Sequence, residues 1–268
     1  MQTMRWYATL ARLFFKMNVK STASYYGWSF VGVYVAHVLG YITSYVTIWA
    51  SMRSFGGVMG WSMQDVMFLY SLDLFSYALA NMFVQPFWRM NELVGQGKLD
   101  GFLLRPMNSF VHIVLNHIEF GYLAHISVAL AAIIVTLVLS PVAFTALSLL
   151  ALLTTLAGAF LIQCALGVMP ACMAFWVIES SQFASLIRFG SRDFVQYPIV
   201  IYPTAIRFII SFIVPVAFVN YYPSLMLLGK AEGLWHLAPL YTLGIGLLLA
   251  FATLRLWHFS VRRYSSSG

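Results

Sequence analysis

Two carboxylates lie inside long apolar stretches of the sequence, Asp73 and Glu119. An ionisable side chain within a lipid-embedded helix costs about 3 kcal/mol on insertion scales, so each of these groups needs a physical reason. Each lies thirteen residues from a proline, Pro86 for Asp73 and Pro106 for Glu119. Regular helices would therefore place both at a depth of roughly 20 Å from the same membrane surface. Two explanations stay open: a substrate or proton role in a wet cavity, and a structural pairing with histidine, arginine or tyrosine.

Two histidines near Glu119 raise the question of a metal site. His117 follows His112 by five residues, and Glu119 follows His117 by two, whereas helical metal ligands three or four residues apart share one face. On a regular helix neither pair shares a face, and His112 and Glu119 do so only about 10 Å apart along the axis. The spacing therefore predicts that no metal is bound here.

Enzymatic signatures are missing from the sequence. Residues 95–98 read Gly-Gln-Gly-Lys, which lacks the leading glycine spacing and the following hydroxyl of the G-x-x-x-x-G-K-S/T phosphate loop. Neither the H-E-x-x-H motif of zinc proteases nor the G-x-S-x-G motif of serine hydrolases occurs. We therefore expect no catalytic residues, no cofactor bound by this chain and no ATPase activity of its own.

The composition shows which elements must position the two carboxylates. Hydrophobic residues make up 61% of the 268 positions and charged residues only 9%, whereas charged residues form about a quarter of a soluble domain. The mean hydropathy is +0.83. Because a membrane span needs roughly 20 apolar residues, six spans and their connections use nearly the whole chain. We therefore expect residues 1–268 to form a single transmembrane domain.

The hydropathy pattern predicts an all-α integral membrane protein with six spans after an N-terminal amphipathic helix. In residues 1–22 basic side chains recur at helical spacing beside apolar ones, which predicts an elbow helix in the membrane interface; a frayed basic tail is the alternative. Residues 87–106 form a polar cytoplasmic segment, here called the connector, and residues 219–235 an extracytoplasmic interfacial segment. The predicted spans are residues 26–50, 65–86, 110–139, 143–177, 200–218 and 236–259.

The basic residues indicate the orientation of these spans. Twelve of the fifteen lysines and arginines fall on one side, whereas Arg53 and Lys230 fall on the other and Arg207 lies in the fifth span. By the positive-inside rule both termini and the two long polar connections are cytoplasmic. Because the basic residues are scattered between apolar spans, they predict no nucleic-acid partner despite a pI near 9.5. The twelve are Arg5, Arg12, Lys16, Lys20, Arg89, Lys98, Arg105, Arg188, Arg192, Arg255, Arg262 and Arg263.

The connector combines charges, flexible glycines and an exposed-looking leucine pair, which suits a surface for a partner protein. An ordinary amphipathic connection between two spans is the alternative. Among its charges, we expect Glu92 to face the partner and Arg105 to brace the segment itself. The candidate residues are Glu92, Gly97, Lys98, Asp100, Leu103, Leu104 and Arg105.

Two stretches of the chain resemble a known family. Residues 97–106 resemble the G-x-L-D-x-x-L-L-R-P signature of a group of six-span permeases among the ABC-2-type transporters. Residues 214–223 resemble the I-P-x-A-F-x-N-Y-x-P stretch of the same group, with Val214 in place of the isoleucine. The two stretches lie about 110 positions apart in the expected order, so the resemblance covers essentially the whole chain.

The resemblance implies an ATP-driven exporter in a bacterial plasma (inner) membrane. The chain would pair with itself or with a related six-span permease, and each permease would dock a separate ATP-binding subunit that holds ATP and Mg²⁺. The connector would then couple that subunit to the spans, and Asp73 and Glu119 would be candidates for the pathway. The exported molecule would be amphipathic, lipidic, glycan, peptide or drug-like.

Two other classes of function remain as alternatives. An ion-coupled secondary transporter would use Asp73 and Glu119 to couple a proton or sodium gradient. Such transporters often contain inverted repeats, and no repeat of 20 to 50 residues is visible in the sequence. A membrane-embedded enzyme or assembly scaffold would lack any recognisable catalytic constellation.

Overall fold

The computed structural model describes residues 2–55, 57–140, 142, 145–177, 180–187, 194 and 196–265. In these ranges the chain is helical apart from short connections and one isolated β-bridge between Val58 and Trp61, which confirms the all-α prediction. Arg188 and Arg192 lie outside the described residues. The α-helices are α1 Gln2–Tyr26, α2 Ser29–Phe55, α3 Met63–Val84, α4 Met90–Gly95, α5 Asp100–Leu103, α6 Ser109–Asn116, α7 Tyr122–Leu139, α8 Ala146–Val168, α9 Ser181–Ser185, α10 Thr204–Phe208, α11 Tyr221–Leu227 and α12 Ala238–Val261.

Among the described residues, five helices are long and apolar enough to cross a membrane, and a bent pair of helical segments supplies a sixth candidate. The bent pair covers Thr204–Ile213 and Val216–Leu227, with an angle of 77° between its halves. The predicted count of six spans is therefore confirmed if the bent pair is taken as one span, and the count is five without it. The five straight spans are Ser29–Ser54, Met63–Gly95, Tyr122–Leu139, Ala146–Phe175 and Gly233–Val261.

The break in the fifth span follows from its prolines. A π-helical turn covers Ile209–Ile213, and it ends with a hydrogen bond from the Val214 N–H to Ile209 O at 2.9 Å. Pro215 comes next and has no N–H to continue a helical ladder. The chain therefore turns sharply and resumes in a short 3₁₀ helix, Val216–Phe218. The prediction of one span over residues 200–218 is corrected to two shorter, strongly bent segments.

The third span also differs from its prediction, because residues 110–139 are not one helix. The short helix α6 ends at Asn116, and α7 begins only at Tyr122. The break has its own hydrogen bonds, since Ile118 N–H donates to the Asn18 side chain in α1 at 3.2 Å and Glu119 N–H donates to Met82 O in α3 at 3.0 Å. Neighbouring elements thus satisfy backbone groups that would otherwise require a continuous helix. The apolar span is α7 alone, which has 18 residues.

The helix α3 forms the centre of the molecule. In its most apolar stretch 78% of the residues are buried, compared with 6% in α2. The helices α8 and α12 approach each other at two glycines, since a Cβ added to Gly246 would lie 2.6 Å from Gly158 O. Most of the α2 surface therefore faces lipid or a further protein chain, whereas α3 is enclosed by its own chain.

The two ends of α3 define two ends of the molecule. The loop end contains residues 57–62, and Lys230 Nζ donates to Gly60 O there at 2.9 Å. The connector end contains residues 85–120, and Trp257 near the end of α12 packs against Phe87 there, with ring centroids 5.3 Å apart. Segments distant in sequence therefore meet at each end, and the candidate site residues of the connector lie at the second.

Candidate coupling surface and buried polar sites

The connector is a folded unit. It begins within a 3₁₀ helix, Gln85–Arg89, and continues through α4 and α5. Leu99 is fully buried between the two α-helices, and its N–H donates to Leu93 O at 2.9 Å. Gly97 has a φ of +67°, in the left-handed region that glycine adopts without strain. The expected flexible segment is therefore a tight turn between two short helices.

An apolar cluster attaches this unit to the ends of the spans. Phe87 is 1% exposed and packs with Trp257 of α12 and with Phe110 of α6, at ring-centroid distances of 5.3 and 5.2 Å. Cys172, in the 3₁₀ helix that extends α8, belongs to the same cluster. Because a close-packed core transmits displacement with little compression, a force on the connector reaches the ends of α3, α8 and α12 directly.

The outer surface of the connector is charged. Arg89 Nη2 lies 2.8 Å from Glu92 Oε2, and the two side chains are 70% and 49% exposed. Lys98 is exposed, and it lines a cavity of about 350 Å³ together with Arg89 and Glu92. Glu92 is thus accessible to a partner as expected, but it is already paired. Sequence reasoning missed Arg89, although its i,i+3 spacing from Glu92 is a recognised helical pairing signal.

The two leucines of the connector pair differ in exposure to solvent. Leu103 is partly buried and packs against the apolar cluster. Leu104 is 86% exposed, which is an unusual position for a leucine next to a folded core. The expectation of an exposed pair is therefore corrected to one anchoring leucine and one surface leucine.

Arg105 braces the segment, as its position before Pro106 suggested. Its Nη1 lies 3.1 Å from Nε2 of His112, which is 1% exposed in α6. Burial lowers the pKa of His112 below its ordinary value, so a neutral ring can accept a hydrogen bond from the guanidinium. This contact ties the end of α5 to α6. Asp100 lies in the first turn of α5 and is partly buried.

Asp73 is buried in the middle of α3 and is 1% exposed. Its Oδ1 accepts a hydrogen bond from Gln163 Nε2 in α8 at 3.0 Å. The carboxylate therefore bridges the two most enclosed helices within one chain. Sequence reasoning did not identify Gln163, because nothing local marks which residue of α8 faces α3.

Glu119 lies in the break before α7 rather than inside a helix. Its Oε1 accepts the Gly121 N–H at 3.2 Å, and its Oε2 lies 3.3 Å from His117 Nε2. The hydrogen bond from His117, followed by that from Gly121, lowers the pKa of Glu119 against the opposing effect of burial. The side chain is 24% exposed, so water or a ligand can reach it.

The two carboxylates do not lie at the same depth. Glu119 is hydrogen-bonded through its backbone to Met82, nine residues beyond Asp73 in α3, and nine helical residues correspond to about 13 Å along the axis. The equal-depth prediction was wrong because it assumed a regular third helix. The same break brings His117 close to Glu119, which the helical spacing argument did not allow. That this pair binds no metal remains a prediction.

The second sequence signature attaches the bent pair to the central helices. Asn220 is fully buried, and its Nδ2 donates to Leu69 O in α3 at 3.3 Å. Thr242 in α12 donates its hydroxyl to Phe218 O at 3.0 Å. Tyr222 stacks on Trp235 with ring centroids 4.3 Å apart and 9° between the planes. The polar and aromatic residues here hold non-helical backbone in place within an apolar region.

Comparison with known proteins gives a family match. A family profile described as ABC-2 family transporter protein matches residues 35–268. No curated protein and no solved structure gives a significant match. The matched region includes the connector, both buried carboxylates and the bent pair, and it leaves out α1 and the start of α2.

Proposed function

Since the chain belongs to the ABC-2 family of transporter proteins, we propose that it is the membrane permease subunit of an ATP-driven exporter. In this proposal two permeases, identical or related, form the pathway, and each docks a separate ATP-binding subunit. The substrate is an amphipathic, lipidic, glycan, peptide or drug-like molecule. The family assignment supports the class of protein, and the structure of the connector supports the docking of a partner subunit.

The single observation that carries the proposal is the construction of the connector. Its inner face is fixed to the ends of three spans through Phe87 and Trp257, and its outer face presents Leu104 and the Arg89–Glu92 pair. A surface that presents an exposed apolar side chain and exposed charges has the composition of a protein contact site. A partner that moves this surface would move the span ends, which is the linkage that coupled transport needs.

The absence of a phosphate loop from the sequence supports ATP binding by a separate partner subunit. ATP and Mg²⁺ would bind to the partner subunit, and this chain would respond to the closure of that subunit. In the part of the chain that the structure describes, Arg53 and Lys230 lie towards the loop end, whereas Arg89, Lys98 and Arg105 lie at the connector end. This distribution favours a cytoplasmic connector end, and the proposed location is a bacterial inner membrane.

The structure gives the ion-coupled alternative little support. Asp73 is hydrogen-bonded to Gln163, and Glu119 is hydrogen-bonded to His117. The two carboxylates lie about 13 Å apart along the axis of α3. A shared site for one coupling ion would require both to approach each other. The two carboxylates therefore occupy two separate environments.

The test is to purify the tagged chain with its ATP-binding subunit and to measure copurification and ATP turnover. Leu104→Asp should weaken docking by about 2 kcal/mol, the size of an interface hot spot, or about 30-fold in affinity. Charge reversal of Glu92 with Glu92→Lys should reduce the turnover or its coupling to transport. The isolated chain should show no ATPase activity.

Matched controls come from the loop end. Leu234 is 74% exposed and Glu232 is also exposed, so Leu234→Asp and Glu232→Lys make the same chemical changes far from the connector. They should leave copurification and turnover unchanged. If the connector variants behaved like these controls, the connector would not be the docking surface.

A further inference from the structure

A second cavity lies beside the connector, between α2, the end of α3 and the start of α7. Its volume is about 240 Å³. The wall from α2 contains His37, and the opposite wall contains Glu119, Tyr122 and His125. It is separate from the cavity at Lys98, although Gln85 borders both. The complete lining is Phe30, Val33, His37, Gln85, Glu119, Gly121, Tyr122 and His125.

Aromatic rings form much of this cavity. The ring of His125 lies 4.9 Å from that of His37 and 5.0 Å from that of Tyr122, measured between centroids. Tyr41 packs behind them, 4.7 Å from His125. Two lining residues, Phe30 and Tyr122, have rings whose π-faces attract a cation placed against them within about 6 Å.

Glu119 is the acidic group of the cavity. Its carboxylate is fixed in position by the Gly121 N–H and by His117, and it remains partly accessible. None of the described residues that line the cavity is a lysine or an arginine. Glu119 is therefore the formally charged residue of the described lining, in a chain whose formal net charge is +7.

The apolar part of the cavity wall is partly exposed. On α2, Val33 lines the cavity and is 36% exposed, and Phe30, which also lines it, is partly buried. A hydrocarbon chain placed against these residues would keep its polar end at the level of Glu119. The site thus joins an acidic, aromatic cavity to a lipid-facing apolar surface.

We propose that this cavity binds the ammonium headgroup of an amphipathic amine, with the hydrocarbon tail along α2. The carboxylate of Glu119 accepts a charge-assisted hydrogen bond from the ammonium, and the rings of Phe30 and Tyr122 contribute cation–π attraction. This assignment of substrate class rests on the proposed export function, but binding itself needs only the chain described here. An anionic headgroup would meet the Glu119 charge and would be repelled.

The experiment uses the purified full chain in phosphatidylcholine nanodiscs and a dodecylamine that carries a photoreactive diazirine. We expect light-dependent labelling of α2 and of residues 117–125, mapped by mass spectrometry. Glu119→Gln should reduce labelling about tenfold, the effect of losing a charge-assisted hydrogen bond. The glutamine can still accept the Gly121 N–H, and Glu232→Gln at the loop end provides the matched control, which should label normally.

A second variant tests the cavity without changing its charge. Val33→Trp would fill the space while leaving the Glu119 contacts intact, and it should also reduce labelling. The elution profile and melting temperature of each variant check that it is folded. If both variants were folded and labelled like the parent chain, the assignment of the cavity would be overturned.

Competition first tests the charge of the headgroup and then identifies its source. Unlabelled dodecylamine should compete, and dodecyl sulfate should not; equal competition by the sulfate would overturn the proposal. If nanodiscs containing phosphatidylethanolamine suppress labelling, the amine comes from a membrane lipid, and if they do not, it comes from a free amphiphile. Amine binding without partner-dependent ATP turnover would contradict the export function while leaving the site itself established.

Discussion

The side chain of Asn18 in α1 accepts a hydrogen bond from the Ile118 N–H at 3.2 Å. The same side chain donates to Leu115 O at 2.9 Å, and it is only 8% exposed. One asparagine thus satisfies a carbonyl near the end of α6 and an amide in the following break. The N-terminal helix is therefore attached to the segment that positions Glu119.

Replacing Asn18 should destabilise this junction. Asn18→Ala leaves two partly buried backbone groups without their partner, at about 1–3 kcal/mol each for groups that stay dry. We expect a lower melting temperature and faster proteolysis near residue 117 in detergent. Asn116→Ala, at an exposed position beside the same break, should change neither. Equal behaviour of the two variants would argue against the role of Asn18.

The contact between α8 and α12 gives a second prediction. A Cβ at Gly246 would lie 2.6 Å from Gly158 O, whereas a Cβ at Gly244 would have no atom of another element within 4 Å. Gly246→Ala should therefore force the helices apart and destabilise the protein by about 1–3 kcal/mol. Gly244→Ala on the same helix should be neutral, or slightly stabilising because alanine favours helix. Thermal unfolding of the two variants provides the measurement.

Variants of Asp73 separate its charge from its hydrogen bond. Asp73→Asn retains an oxygen that can accept from Gln163, so assembly should be preserved, whereas Asp73→Leu leaves the Gln163 amide without this acceptor and should reduce stability. The double variant Asp73→Leu/Gln163→Leu should recover part of that loss. If Asp73→Asn alters transport while the melting temperature is unchanged, the charge has a transport role; unchanged transport would assign Asp73 to structure alone.

The hydrogen bonds of Glu119 predict a pH dependence of stability. They lower the pKa of the folded carboxyl, so their contribution is present above the unfolded-state pKa of about 4.3 and is lost as the pH falls through the folded value. The melting temperatures of the parent chain and of Glu119→Gln should therefore differ at about pH 7, and the difference should shrink as the pH falls through the lowered pKa of the folded carboxyl. A difference that stays constant with pH would contradict this role for the carboxylate.

The orientation of the chain can be tested with single cysteines. Lys98→Cys should react with an impermeant maleimide only from the cytoplasm, and Glu232→Cys only from outside, in a background where Cys164 and Cys172 are alanine. Gly57 also lies at the loop end, but it is a poorer position for a cysteine because its φ of +109° would strain any side chain. Reaction of both cysteines from the same side would exclude the two-ended arrangement.

The connector shows how much of a surface a local sequence pattern can predict. The G-x-L-D-x-x-L-L-R-P resemblance and the charges predicted a partner surface at residues 87–106, and that surface assignment remains a prediction. The sequence could not show that Leu103 is an anchor and Leu104 is exposed. That division depends on the cluster of Phe87 and Trp257, which are 170 positions apart.

The sequence by itself determined the class of the protein, because membrane insertion depends on local hydropathy. The apolar stretches, the family signatures and the prolines of the fifth span were visible in short windows. The tertiary structure decided where Glu119 lies and which residue accompanies Asp73. Asn18 and Met82 supply the hydrogen bonds that permit the break in the third span, and Gln163 reaches Asp73 from another helix. Such partners are set by packing between distant segments, which the period of a single helix does not specify.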